Sequence, residues 1–149
     1  MNIQICSLTA AIAVNSAVVG SEPRSLHKRG LESLCILVTS MTSRNCWDFA
    51  DYGCTCGLKG QSDLVPVDSV DRCCLDRLTC YQQLNCSTPF FIDSGVICTQ
   101  DGCNCTDTET GSCEYQTCQC DLQFGLCLSS RGTFDRTYEN YDRTKCKNV

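Results

Sequence analysis

Over residues 30–42 the apolar positions recur at helical spacing. Leu31, Leu34, Cys35 and Val38 stand at i, i+3, i+4 and i+7, which is one face of a helix and predicts a helix over Gly30–Thr42. The stretch from Asn45-Cys46-Trp47-Asp48-Phe49 to Tyr52-Gly53-Cys54-Thr55-Cys56-Gly57 keeps no such period and is bracketed by glycines. It reads as a tight loop. The loop continues through Gln61–Val67, where Pro66 suits the start of a helix. A second helix is predicted from about Val67 to Gln83, with Cys73, Arg77, Cys80 and Leu84 on one stripe and Cys74 one turn from Leu78. A third covers Ser112–Cys127, where Cys113, Cys120, Phe124 and Cys127 share a face. Between them, Pro89-Phe90-Phe91-Ile92 and Val96-Ile97, separated by Asp93-Ser94-Gly95, predict a small two-stranded hairpin. The tail Ser129–Val149 is polar, dotted with tyrosine, and held only by Cys146.

Cysteine content decides the compartment. The 149 residues include 17 cysteines, about 11% of the chain and the composition of a disulfide scaffold. The odd count is resolved by Cys6, which lies in the uncharged apolar run Ile3–Val19. That run carries Gln4, Asn15 and several Ser and Thr residues, so it is a poor membrane span. Val18 and Gly20 stand where a signal peptidase wants small residues before a cut at Ser21. Residues 1–20 therefore read as a signal peptide, the chain as secreted and not an integral membrane protein. Sixteen cysteines remain, enough for eight bridges. A zinc reading of the Cys-x-Cys pairs does not suit an oxidising compartment.

Residues 21–29 end in Lys28-Arg29. The pair reads either as the end of a propeptide cut after Arg29 or as two solvated charges. Without residues 1–29, which hold Arg24, Lys28, Arg29 and Glu22, the formal charge moves from −5 to −7. Such a surface repels nucleic acid and anionic membranes. The only histidine, His27, falls in the same segment, so a domain over 30–149 has no imidazole.

Tyr52-Gly53-Cys54-Thr55-Cys56-Gly57-Leu58-Lys59-Gly60, then Pro66-Val67-Asp68, Asp71-Arg72-Cys73-Cys74 and Cys80-Tyr81 closely resemble secreted phospholipase A2. That family reads Y-G-C-x-C-G-x-G-G, then P-x-D-x-x-D-x-C-C-x-x-H-D-x-C-Y. Downstream, Cys113, Cys118, Cys120-Asp121 and Cys127 resemble its second disulfide helix, C-x4-C-x-C-D-x5-C. The resemblance covers essentially all of Gly30–Cys146. It implies a mainly α, disulfide-rich fold: an N-terminal helix, two antiparallel disulfide-linked helices and a small β-hairpin. It also favours cleavage after Arg29, because members begin their first helix with a small residue and Leu, as Gly30-Leu31 do.

In the family a His is general base on water, the next Asp binds calcium with loop carbonyls, and a second Asp orients the His. Here Arg77 stands at the His position and Leu78 at the Asp position. Arginine does not give up its proton near neutral pH, and Leu offers no oxygen to a cation that requires oxygens. The resemblance thus implies a degenerate calcium loop over Thr55, Gly57, Lys59 and Leu78, with Lys59 where a glycine carbonyl would be a ligand. The loop between Gly60 and Cys73 carries two extra residues, and the tyrosine that helps hold the second Asp is replaced near Ser94. Asp121 and Tyr81 remain from the network. Asp76 cannot stand in for the lost acid, being two positions from Leu78 and roughly 200° round the helix. Arg77 is expected to pair with Asp121 through the adjacent Cys80–Cys120 bridge.

The resemblance also implies Cys54–Cys146, Cys56–Cys74, Cys73–Cys127, Cys80–Cys120, Cys86–Cys113 and Cys105–Cys118. The family bridges its first helix to the cysteine matching Cys98, but its first-helix cysteine falls at Ser40. Cys98 is therefore expected to take Cys35 or Cys46, and Cys103 the other. Asn85-Cys86-Ser87 and Asn104-Cys105-Thr106 are glycosylation sequons. Together these features imply a secreted, catalytically inactive phospholipase A2-like protein that acts by binding a matrix, protein or lipid partner, with no cofactor. Non-enzymatic relatives include matrix proteins of calcium carbonate minerals and toxins. The alternative is a calcium-dependent secreted enzyme hydrolysing the sn-2 ester of phospholipids. A membrane-damaging toxin is less well matched, since Tyr138–Val149 sets Arg143, Lys145 and Lys147 against Glu139 and Asp142.

Overall fold

A computed structural model describes residues 26–149. The signal-peptide reading for 1–20, and residues 21–25 of the propeptide reading, lie outside the described residues. Three helices form the body: α1 (Leu26–Thr42), α2 (Ser69–Gln83) and α3 (Cys113–Arg131). A hairpin of β1 (Val96–Thr99) and β2 (Gly102–Cys105) is set between α2 and α3 in the chain.

Of the stripe expected on α1, Val38 is buried, Leu34 packs against the core and Leu31 and Cys35 are half-buried, while Leu37, outside that stripe, is buried as well. The helix begins upstream of the expected Gly30, so Lys28-Arg29 lie within its first turns. It stops at Ser43, whose φ of 57° is left-handed. Asp68 opens α2 by accepting the Asp71 N–H at 2.8 Å, the side-chain cap that short polar residues provide. Ser112 caps α3 in the same way by accepting from Tyr115 N–H. That helix runs past the expected end at Cys127, because Leu128 is buried in the core one position further on. Leu37, Val38, Phe49, Tyr52, Val70, Phe124 and Leu128 make the core with Cys56, Cys73 and Cys74. Gly125 lets α1 approach α3 closely, since a Cβ there would stand 2.5 Å from both Leu37 Cδ2 and Met41 Sδ.

The hairpin differs from the sequence reading. Pro89–Phe91 form a 3-10 turn rather than a strand, because proline has no N–H to give a ladder and sets φ for a helical first turn. The strands lie later, with Val96 opposite Cys105, Ile97 opposite Asn104 and Cys98 opposite Cys103, turning at Gln100-Asp101.

Eight disulfides hold the described residues together. Cys54–Cys146, Cys56–Cys74, Cys73–Cys127, Cys80–Cys120, Cys86–Cys113 and Cys105–Cys118 are among them. The expectation that Cys98 takes Cys35 or Cys46, with Cys103 on the other, is corrected. Cys35 pairs with Cys46, and Cys98 with Cys103. The turn after α1 brings Cys46 back to within 5.0 Å (Cα–Cα) of Cys35, and strand register sets Cys98 directly across from Cys103. The tail too is held by more than Cys146. Gly53 N–H donates to Tyr138 O, Tyr141 N–H to Asp51 O, and Val65 N–H to Lys147 O.

Candidate functional site

Arg77 sits on the inner stripe of α2, one turn before Cys80, and is buried. Asp121 follows Cys120 on α3, and the Cys80–Cys120 bridge brings the two side chains together. Arg77 Nε donates to Asp121 Oδ1 at 2.8 Å and its Nη2 to Tyr81 Oη at 2.5 Å. The Tyr81 hydroxyl completes the triangle by donating to Asp121 Oδ1 at 2.5 Å. The guanidinium carbon also lies 4.7 Å from the Tyr81 ring centre and 5.2 Å from those of Phe90 and Phe124. Such stacking suits a planar cation that is weakly hydrated. Burial works against the Arg77 charge, but Tyr81 and Asp121 outweigh it and hold the proton more firmly than usual. Burial likewise pushes the Tyr81 phenol well above the ordinary tyrosine range, with Asp121 adding to the rise. Arg77 is a locked cation.

Beside it opens a cavity of about 240 Å³. Leu31, Leu34 and Val38 of α1 form one wall and Phe49, Phe90 and Phe124 another; Leu78 and Arg77 face them across the space. Lys59 and the exposed Trp47 and Leu58 lie along its solvent side. Asp76 is exposed and does not line this cavity. Ser94 is buried but gives Asp121 no hydrogen bond.

The loop that carries Thr55, Gly57 and Lys59 is fixed by Asp71. That carboxylate accepts the N–H groups of Cys54, Thr55 and Val67 at 2.9, 2.8 and 2.9 Å, and the Thr55 hydroxyl at 2.6 Å. Gly57 has a φ of +74°, and a Cβ there would stand 1.7 Å from Ala50 O, so only glycine fits. Its carbonyl accepts the Gly60 N–H at 3.2 Å, and the Cys56 carbonyl accepts Arg143 Nη2 at 2.7 Å. Among the described residues no cluster of three His, Cys, Asp or Glu side chains could hold a metal. In the sequence, Asp71 stands out only as part of a motif. The signal for its role was the pair Asp68 and Asp71 at the head of a helix, three apart, as in a capping arrangement. The Arg143 contact had no sequence signal, because the partner is 87 residues away.

The family model for phospholipase A2 matches residues 31–142, most of the chain. The chain belongs to the phospholipase A2 family. It is 32% identical over 111 residues to "Acidic phospholipase A2 2" of Naja naja, covering 72% of this chain and 91% of that protein. "Basic phospholipase A2" of Micrurus corallinus is 32% identical over 116 residues, 74% of this chain and 77% of its own length. "Phospholipase A2" of Bos taurus matches over 147 residues at 29% identity, 93% of this chain and 97% of the relative. The phospholipase A2 fold thus accounts for the two bridged helices and for the cavity between them and α1. No helix among the described residues is long and apolar enough to cross a membrane.

Proposed function

We propose that this phospholipase A2 family member is secreted, catalytically silent, and works by binding. One observation carries the reading: position 77, where the family resemblance implies the general base, holds an arginine tied to Asp121 and Tyr81. A guanidinium so held accepts no proton from water. The donor set suits calcium no better. Leu78 supplies only an alkyl group, one loop carbonyl, that of Gly57, already accepts a hydrogen bond, and Lys59 adds a positive charge. Calcium wants six to eight oxygens.

What remains is a binding cavity. Its apolar walls favour a lipid over a matrix or protein partner, since burying each methylene contributes about 0.8 kcal/mol. Lys59, at the solvent side, favours an anionic head. The occupant is a single acyl chain with a negative end, and entry needs no chemistry.

The second reading, a calcium-dependent enzyme acting on phospholipid esters, draws support from the names its relatives carry. Vesicle hydrolysis in millimolar calcium, beside an active family member, separates the two. The expected result is no fatty-acid release above the blank. Robust release by a preparation free of contaminating lipase would overturn silence and leave the enzyme reading standing.

A further inference from the structure

Two glycosylation sequons lie away from the cavity. Asn85 and its partner Ser87 are exposed, and so are Asn104 and Thr106. In both, the middle residue is a cysteine that ends in a bridge, Cys86 with Cys113 and Cys105 with Cys118. Once the bridge closes, the sequon is pinned to another element. The order in which the cysteines are made therefore decides which asparagine is available longest.

Cys113 follows Cys86 by 27 residues, whereas Cys118 follows Cys105 by only 13. At a synthesis rate of about 5–20 residues per second, the partner cysteine of the Asn85 sequon is made about 1–5 s after Cys86, and that of the other sequon in half the time, so the Asn85 bridge has the later start. Asn104 is constrained sooner still. Cys103, immediately before it, pairs with Cys98, which is already made and only five residues back. That bridge closes the hairpin in which Asn104 sits opposite Ile97. Asn85 instead lies in the irregular stretch between the end of α2 and the turn at Pro89–Phe91. None of residues 84–88 lines the cavity beside Arg77.

We infer that Asn85 carries an N-linked glycan and that Asn104 is left bare. The inference rests on the secretion reading above. In the transfer, Asn85 Nδ2 forms a C–N bond to the anomeric carbon of an oligosaccharide borne on a lipid diphosphate. The sugar C–O bond to that diphosphate breaks, the lipid diphosphate leaves with the electron pair, and the amide gives up one proton. Nothing is oxidised or reduced. The glycan projects from the loop after α2 and leaves the binding cavity open.

The test is to express the full chain in eukaryotic secretory cells and weigh the protein from the medium before and after peptide N-glycosidase. One glycan per chain is expected, abolished by Asn85→Gln and by Ser87→Ala and kept in Asn104→Gln. A brief pulse of dithiothreitol during synthesis should add a glycan at Asn104 by delaying both competing bridges. Secreted protein with no glycan, or with one on Asn104 in preference, overturns the inference. So does an Asn104 occupancy unmoved by the reductant. Protein retained in the cytosol with reduced thiols would overturn the secretion reading and this inference together, a result distinguishable from bare protein in the medium.

Discussion

Arg77 keeps its charge inside the fold because Asp121 and Tyr81 face it at hydrogen-bond distance. Removing one member of a buried pair leaves the other without its compensation, at about 3–5 kcal/mol. Arg77→Ala should lower stability by that amount in denaturant titration, whereas Arg77→Ala combined with Asp121→Ala should recover part of the loss. Arg77→His alone should not start hydrolysis in the vesicle assay, since Leu78 still offers no oxygen; adding Leu78→Asp should restore at most a trace. The tyrosines make a pH prediction. Tyr52, buried and donating to Asp68, and Tyr81, buried beside Asp121, both hold their protons above the ordinary tyrosine range. Their folded pKa values are raised over the unfolded value of about 10. The stability they contribute is therefore complete below about pH 10 and declines as pH climbs toward the folded values. Ultraviolet difference titration should show these two phenols ionising only as the protein unfolds.

The pairing of α2 with α3 depends on two bridges, Cys73–Cys127 and Cys80–Cys120. The second lies inside the first, so with Cys73–Cys127 intact it closes a loop of about 14 residues (80 − 73 plus 127 − 120), for which loop entropy gives about 3 kcal/mol. A Cys80→Ala, Cys120→Ala double variant should lose stability of that order, read by thermal unfolding. Asp71→Ala would strip three backbone N–H groups and a hydroxyl of their acceptor, an effect of about 3 kcal/mol or more. The helices were legible in the sequence because their buried residues repeat at the helical period. Their ends were less so: Leu128 extends α3 through a burial that no local pattern announces. The hairpin was misplaced because Pro89-Phe90-Phe91-Ile92 is apolar enough for a strand, while the missing N–H of Pro89 turns it into a 3-10 helix. At the site, the identities of Arg77 and Leu78 were readable, but the stacking of the guanidinium on Phe90 and Phe124 depends on elements far apart in the chain.

At the scale of the whole molecule, the sixteen cysteines of the described residues are all paired, so mass spectrometry of the domain over residues 30–149 should find eight bridges and no free thiol. Calorimetry should detect no saturable calcium site tighter than roughly millimolar, given the alkyl side chain of Leu78 and the cation at Lys59. The two short bridges that the sequence did not reveal have a further effect. Among the described residues Cys35–Cys46 closes on itself, and no bridge joins a residue before Cys54 to one after it. The covalent map is therefore two islands joined by one stretch of backbone. Within the larger island Cys54–Cys146 encloses everything, so a single cut there frees nothing. A single protease nick after Trp47, which is 63% exposed, severs the islands. Under denaturing, non-reducing conditions the peptide ending there should separate without any thiol reagent, taking with it Leu31, Leu34 and Val38, one whole wall of the cavity.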